Sequence, residues 1–287
     1  MEYLEIALTT AACAWHASFL LAGYRDVAAH GIEGALRSPL LSFAELRVGT
    51  SYPALPLTGP LFYLAAVYLL SWFMSWRTAG GRAPFFSLSG VMLVYNAYAT
   101  LLSGAMFALF LQQFAAHTTW GSLLTYKLDP ATTRAWAAVM WVNYQSKYIE
   151  YADTLVAVLR GKKEQVSDLQ LIHHAEMGPL MYVFCLLCPG GQSALGPMIN
   201  SLVHFVMYGY YGLTGAKVLG ALTGAVKPYI TSFQITQFLI LLAQSGFHLF
   251  YLGKYWDARC TVLQFVLMLQ MVRGAGARRP AARTPLF

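Results

Sequence analysis

Charge is scarce in this chain: Asp, Glu, Lys and Arg make up 11% of its 287 residues, while 57% are apolar. Soluble domains carry roughly 25% charged residues, so an ordinary soluble globule is excluded. Cysteine is sparse too. The four cysteines suggest no disulfide framework, and no companion pair stands near Cys185 and Cys188 to complete a metal site. No Asn-x-Ser/Thr acceptor occurs, so nothing marks an external loop for glycosylation. The amino terminus lacks the basic start of a cleavable signal, and no interval between the apolar stretches is rich enough to build its own core.

What the chain does have is apolar runs of spanning length, about 20 residues each. They cover Leu57–Trp76, Leu88–Leu111, Trp136–Leu159, Leu169–Cys188, Leu195–Ala216, Tyr229–Leu252 and, more weakly, Trp256–Val272. The expected fold is therefore an all-α integral membrane protein with about seven transmembrane helices. An earlier run, Leu4–Gly23, carries Glu5 and His16; it reads as an interfacial or peripheral helix, with an eighth span as the alternative. Residues 1–50 then form an amino-terminal interfacial or lumenal segment, 51–272 the membrane domain, and 273–287 a flexible basic tail.

Prolines punctuate the runs: Pro56 and Pro60 enter the first, Pro130 the third, Pro197 the fifth and Pro228 the sixth. Gly178-Pro179 lies inside the fourth and predicts a kink. Loop cations orient the chain. Arg77, Arg82, Arg160, Lys162, Lys163, Lys217, Lys227, Arg273, Arg278, Arg279 and Arg283 fall on one side, against Arg25, Arg37, Arg47, Lys127, Arg134, Lys254 and Arg259 on the other. The richer side, with the carboxy terminus, is expected to be cytosolic. The net charge of +7 is dispersed over these loops, which suits a membrane surface and acidic ligands rather than nucleic acid.

Polar residues inside the runs are few and patterned. Lys147, Glu150 and Asp153 or Thr154 share one helical face, as do Gln170, His173 and His174; Asn200, His204, Tyr208 and Tyr211; and Thr231, Gln234 and Gln237. Polar stripes facing lipid are costly, so the four should converge on one enclosed cavity opening to the cytosol. A bland reading stands beside each. Lys147, Glu150 and Asp153 could simply lock helices together, although intramembrane charges are functional by default. His204 alone would be a packing histidine, and the aromatic and methionine richness of Met207–Tyr211 reads as packing rather than chemistry.

On these residues the chain resembles the ELO family of very-long-chain fatty acid elongases. Lys147, Glu150, Asp153 and Thr154 match the family's K-x-x-E-x-x-D-T. His173 and His174 match the end of its H-x-x-H-H box, in which Gln170 replaces the first histidine, as in what looks like the polyunsaturated-chain branch. Asn200, His204, Met207, Tyr208, Tyr210 and Tyr211 match N-x-x-x-H-x-x-M-Y-x-Y-Y, and Thr231, Gln234 and Gln237 match T-x-x-Q-x-x-Q.

The resemblance implies a helical barrel enclosing an active-site tunnel, in the endoplasmic reticulum membrane. It implies decarboxylative condensation of a long-chain acyl-CoA with malonyl-CoA to 3-oxoacyl-CoA, with no cofactor and no metal. Partners would be the two CoA thioesters, the bilayer, a second copy as a homodimer and other enzymes of the elongation cycle. Glutamine cannot carry a proton, so acid, base or nucleophile falls to His173, His174 or His204. His173 is expected to become acylated or to act as the base coupled to acylation, with His174 and His204 positioning or protonating. Asn200, Gln170 and Gln234 would donate to the thioester or enolate oxygen. Gln237, Tyr208 and Tyr211 would line the substrate site. Lys147, Glu150 and Asp153 would orient the histidines and the malonyl carboxylate, and Arg160, Lys162, Lys163, Lys217 and Lys227 would attract CoA phosphates. Glu176 would tune an imidazole or pair with Lys147. Two other classes compete: a di-iron histidine-box desaturase or hydroxylase, which needs about eight ligands, and a proton-coupled transporter.

Overall fold

The computed structural model describes residues 2–35, 54–79, 88–117, 130–162, 165–251 and 258–276. Lys163, the basic tail beyond Gly276, and the loop cations Arg37, Arg47, Arg82, Lys127 and Lys254 lie outside the described residues. Their roles in orientation and binding rest on sequence alone.

The regular elements are α1 (Glu2–Ala35), α2 (Leu55–Thr78), α3 (Ser89–His117), α4 (Pro130–Ile149), α5 (Tyr151–Leu159), α6 (Asp168–Leu187), a short 3-10 turn (Gly191–Ala194), α7 (Leu195–Gly215), α8 (Leu222–Tyr251) and α9 (Ala258–Gly276). Each apolar run became helix, with two differences. The third run is two helices, α4 and α5, interrupted at Glu150. The sixth begins earlier than its proline suggested, so Pro228 lies inside α8 as Pro60 lies inside α2. Helix α6 likewise continues through Gly178-Pro179. A proline near a helix start removes few hydrogen bonds, because the first turn's N–H groups have no intrahelical partner.

Among the described residues four helices are long and apolar enough to cross a membrane: Tyr3–Ile32, Leu55–Thr78, Ser89–Ala116 and Leu222–Tyr251. This all-α architecture is consistent with an integral membrane protein, but the seven spans read from the sequence become four by this measure. One of the four is the amino-terminal run, whose length fits the eighth-span alternative. Helices α4, α6, α7 and α9 fall outside because they carry polar or weakly hydropathic residues. Those residues can be tolerated only where other helices cover them.

Helix α4 shows how far that covering goes. Every residue from Trp136 to Lys147 is buried, including Asn143, Gln145, Ser146 and Lys147. Helix α1 packs along α4 and α3, α6 lies against α4 and α2, and α5 rests on α2. On the other flank α3 packs on α7, α7 on α8, α8 on α9, and α9 returns to α6. Close approach in this packing relies on glycine. The Trp141 ring overlies Gly23 so closely that a Cβ there would overlap it. Tyr148 is wedged between α2 and α6, where a Cβ on Gly59 would stand 2.6 Å from its ring and one on Gly178 3.1 Å.

One expectation about cysteine is overturned. Cys188 and Cys260 form a disulfide, while Cys13 and Cys185 are buried thiols outside any disulfide. The bond joins the carboxy-terminal end of α6 to the first turn of α9, across 72 residues of sequence. Pairing over such a distance is set by tertiary contact and cannot be deduced from spacing.

Replacing Gly23 by Val should destabilise the α1–α4 contact, because overpacking a tight site costs about 1–3 kcal/mol. A lowered thermal midpoint in detergent would show it, and adding Trp141→Leu should recover much of the loss. An unchanged midpoint in the single variant would mean that the two helices are not in close contact.

Candidate active site

The site is organised by the break between α4 and α5. The Asp153 N–H donates to the Glu150 carbonyl (3.1 Å), an i to i−3 bond that tightens the chain locally into 3-10 geometry. Side chains three residues apart eclipse in such a turn, so Lys147, Glu150 and Asp153 line up in one row. The facing row on α7 is spaced by four, as an α-helix requires: Asn200, His204 and Tyr208.

The two rows meet rung by rung. The Lys147 ammonium donates to Glu150 Oε1 (2.7 Å) and to Asn200 Oδ1 (3.0 Å). The same Glu150 oxygen stands 3.3 Å from His204 Nδ1. The Tyr208 hydroxyl donates to Asp153 Oδ2 (2.6 Å). Lys147, Glu150, Asn200 and His204 are all buried, so each charge is matched by a charge or a dipole. Without these partners, several kcal/mol would be lost for each buried charge.

A second set of contacts steadies the rungs. Tyr95 on α3 reaches the Tyr208 hydroxyl and the Ile149 carbonyl, each at 3.4 Å. Thr154 accepts from the Tyr63 hydroxyl on α2 (2.9 Å) and from Gln170 Nε2 on α6 (3.2 Å). Ser167 caps α6, its hydroxyl accepting from the Gln170 N–H at 3.1 Å. The Ser-x-x-Gln spacing is that of a capping box, but the Gln170 side chain turns to Thr154 instead of back to the cap. Gln170 thereby ties α6 to α5, and its amide donor is engaged there.

His173 and His174 stand at right angles, ring centroids 5.6 Å apart. His174 turns toward Tyr63, and its buried Nδ1 has no hydrogen-bond partner. His173 borders a cavity whose wall comes from α4, α6, the 3-10 turn, α7, α8 and α9. Asn143, Asn200 and Gln237 line it among Met177, Phe184, Leu241 and other apolar side chains. Because Lys147 holds the Asn200 carbonyl oxygen, the amide group of Asn200 keeps its N–H donors for the cavity. An imidazole and an amide donor in the wall of a mostly apolar cavity suit a reactive carbonyl on a hydrocarbon chain.

The remaining predicted residues are dispersed. Gln234 donates to Met207 Sδ at 3.2 Å, and Tyr211 lies 42% exposed, its ring against Tyr208 and Tyr210. Arg160 and Lys162 end α5 in a Schellman turn in which Gly161 supplies the left-handed residue (φ 69°). Lys217 takes the same role after α7 at φ 60°, and both Lys217 and Lys227 are exposed. These cations stand apart from the buried rungs. Glu176 accepts from Gln270 of α9 at 3.1 Å, so its expected pairing with Lys147 is not formed; Lys147 is already held by Glu150 and Asn200. No group of three or more His, Cys, Asp or Glu side chains able to hold a metal ion occurs among the described residues.

Sequence reasoning missed Tyr63, Tyr95 and Asn143. The two tyrosines belong to none of the polar stripes and read as packing aromatics. Asn143 lies four residues before Lys147, a same-face spacing that could have drawn attention to it.

Fold and site together define a helical protein of the membrane with a largely apolar cavity beside a buried polar network. The chain belongs to the GNS1/SUR4 (ELO) family, which it matches over residues 50–275. It is 35% identical over 191 residues to very long chain fatty acid elongase 2 of Rattus norvegicus, covering 65% of this chain and 66% of that protein. To very long chain fatty acid elongase 4 of Homo sapiens it is 31% identical over 213 residues, covering 73% and 66%. To very long chain fatty acid elongase 5 of Rattus norvegicus it is 33% identical over 191 residues, covering 65% and 62%. The matched stretch thus spans just under two thirds of these relatives' length. Family and apolar helices together make this a multi-pass membrane protein.

Removing the charge of Lys147 alone should be far more damaging than removing the pair. Lys147→Met should cost about 3–5 kcal/mol, because it strands a buried carboxylate. The double variant Lys147→Met/Glu150→Gln should regain most of the thermal midpoint. Equal loss in both would mean that the two groups do not interact in the interior.

Proposed function

We propose that this protein condenses a long-chain acyl-CoA with malonyl-CoA to give 3-oxoacyl-CoA, CoA and carbon dioxide, the chain-lengthening step of very-long-chain fatty acid synthesis. The observation that carries this reading is His173 at the border of the apolar cavity, beside an Asn200 amide oriented by Lys147. Family membership and the names of the relatives point the same way.

In the first half-reaction an imidazole nitrogen of His173 attacks the thioester carbonyl. The carbon–sulfur bond breaks, the imidazole gives up its ring proton, and CoA leaves as the thiol. The acyl-imidazole is itself activated. In the second half-reaction malonyl-CoA loses carbon dioxide and the electron pair left on its α-carbon attacks the acyl carbonyl. The new carbon–carbon bond forms, the carbon–nitrogen bond breaks, and the imidazole takes up a proton. Asn200 donates to the oxygen on which negative charge develops. His204, held by Glu150, is placed to move the proton, and His174 positions its neighbour. Gln170 acts as a tie that fixes the start of α6, in keeping with its engaged donor. No cofactor enters the scheme.

Arg160, Lys162, Lys217 and Lys227 follow α5 or flank the α7–α8 connection, and Lys163 joins them by its place in the sequence. Such a cluster suits the CoA phosphates. The disulfide supports a cytosolic site. It lies at the opposite ends of α6 and α9, and disulfides persist in oxidising compartments such as the endoplasmic reticulum lumen. The packing cycle from α3 through α7, α8, α9, α6 and α4 back to α3 supports a helical barrel around the cavity. Residues 51–272 then form the membrane domain. The glutamine at 170 and the amides in the cavity favour polyunsaturated chains as substrate. Homodimerisation and association with the other enzymes of the cycle belong to the same reading.

Purified protein in lipid nanodiscs, given labelled malonyl-CoA and a panel of saturated and polyunsaturated acyl-CoAs, should release labelled carbon dioxide and 3-oxoacyl-CoA. Turnover of none of them would overturn the assignment. With acyl-CoA alone, intact-protein mass spectrometry should show an added acyl group that is lost in His173→Ala. That variant should slow condensation by at least the roughly 10²–10⁴-fold that a positioned proton-transfer group supplies. An active enzyme with no adduct would rule out the covalent route.

A further inference from the structure

Helix α2 lends no residue to the cavity wall. Its outer face is lipid-compatible, with Leu61 and Phe62 exposed, yet the next residue, Tyr63, is 2% exposed. One turn before it Gly59 admits the Tyr148 ring, which also lies against Gly178 of α6. That wedge holds α2 at one height against α4 and α6. At this height the Tyr63 side chain arrives where α6 begins.

Two kinds of contact are made there, one by the hydroxyl and one by the ring. The hydroxyl donates to Thr154 Oγ1 at 2.9 Å, the same oxygen that takes the Gln170 Nε2 donor at 3.2 Å. A hydroxyl oxygen has two acceptor lone pairs, so both are occupied, and α2, α5 and α6 are joined at one atom. Gln170 shares its face of α6 with His173, three residues on. The Tyr63 ring stacks on Tyr151 at 4.2 Å and inclines to the His174 ring at 6.3 Å. A hydrogen bond at one ring nitrogen commonly fixes how an imidazole presents the other. His174 is buried and its Nδ1 has no such partner. Ring packing takes over that task, with Tyr63 and His173 as the neighbouring rings.

We propose that Tyr63 is a positioning residue for the reaction. Its hydroxyl fixes the first turn of α6 and its ring fixes His174, so that His173 meets the thioester carbonyl at reacting distance. The inference rests on the condensation reading above, and it draws into the reaction a helix that stands outside the cavity. A tyrosine present only for packing would contribute buried area, and phenylalanine would serve as well. A tyrosine that positions acts through placement, where a shift of about 1 Å costs about 100-fold in rate. Its loss falls on the chemical step rather than on substrate binding.

Tyr63→Phe keeps the ring and removes the hydroxyl, whereas Tyr63→Leu removes both. Each is compared with the unaltered protein in nanodiscs, with kcat and KM for acyl-CoA expressed per monodisperse folded protein. In Tyr63→Phe kcat should fall about tenfold or more while KM stays within about twofold, and Tyr63→Leu should be slower again. Thr154→Val, which removes the shared acceptor, should be as slow as the double variant Tyr63→Phe/Thr154→Val, because the hydroxyl acts through that oxygen. An unchanged kcat in Tyr63→Phe would overturn the proposal, as would a raised KM with kcat kept, or losses that multiply in the double variant. Equal rates in Tyr63→Phe and Tyr63→Leu would overturn the part given to the ring. No turnover in the unaltered protein would instead overturn the condensation reading.

Discussion

The buried ammonium of Lys147 is the constraint around which the rest of the molecule is arranged. It sits on a helix covered along its length, where a charge can persist only if a counter-charge and further dipoles meet it. Glu150 supplies the counter-charge and Asn200 the dipole. Glu150 reaches Lys147 from a point where α4 stops and α5 begins, and the tightened turn there brings Asp153 into the same row. Once Asn200 is tied to Lys147 and His204 to Glu150, the height and rotation of α7 relative to α4 are fixed. The position of the amide donor in the cavity follows from that. A purely apolar contact between the same helices would pack as densely, yet would tolerate sliding. Directional partners over three successive rungs do not.

Much of the site was legible because polar residues inside apolar runs are rare and their spacing maps onto one face. Lys147, Glu150 and Asp153 were visible as a stripe, and so were Asn200, His204 and Tyr208; rung pairing followed once two helices came together. What could not be read was anything decided by which helices are neighbours. Tyr63 and Tyr95 gain their roles only because α2 and α3 happen to present a hydroxyl to Thr154 and Tyr208. Glu176, beside two histidines in sequence, faces α9 instead and meets Gln270. The break at Glu150 also escaped notice, since a single residue of altered geometry leaves the hydrophobic pattern intact.

That only four of the described helices pass the apolar measure for a span has a related physical reason. Hydropathy measures what a helix would expose if it stood alone in lipid, whereas α4, α6, α7 and α9 stand among other helices. Polar residues such as Lys147, Asn200, His204 and Gln264 are buried among these helices, at the rungs and the cavity. The helices with the clearest spanning signal, α1, α2, α3 and α8, show lipid-compatible side chains such as Leu8, Phe62, Leu101 and Phe250 on their open faces.

The cross-link between Cys188 and Cys260 also imposes an order on synthesis. The two cysteines are 72 residues apart, so at about 5–20 residues per second the first is made about 4–14 s before the second. Throughout that interval Cys188 is a thiol without its partner, one turn of helix from Cys185, which stays reduced in the finished protein. Correct pairing therefore reports that α9 has arrived beside α6, and a chain truncated before Cys260 would carry an unmatched thiol to whatever quality control inspects it.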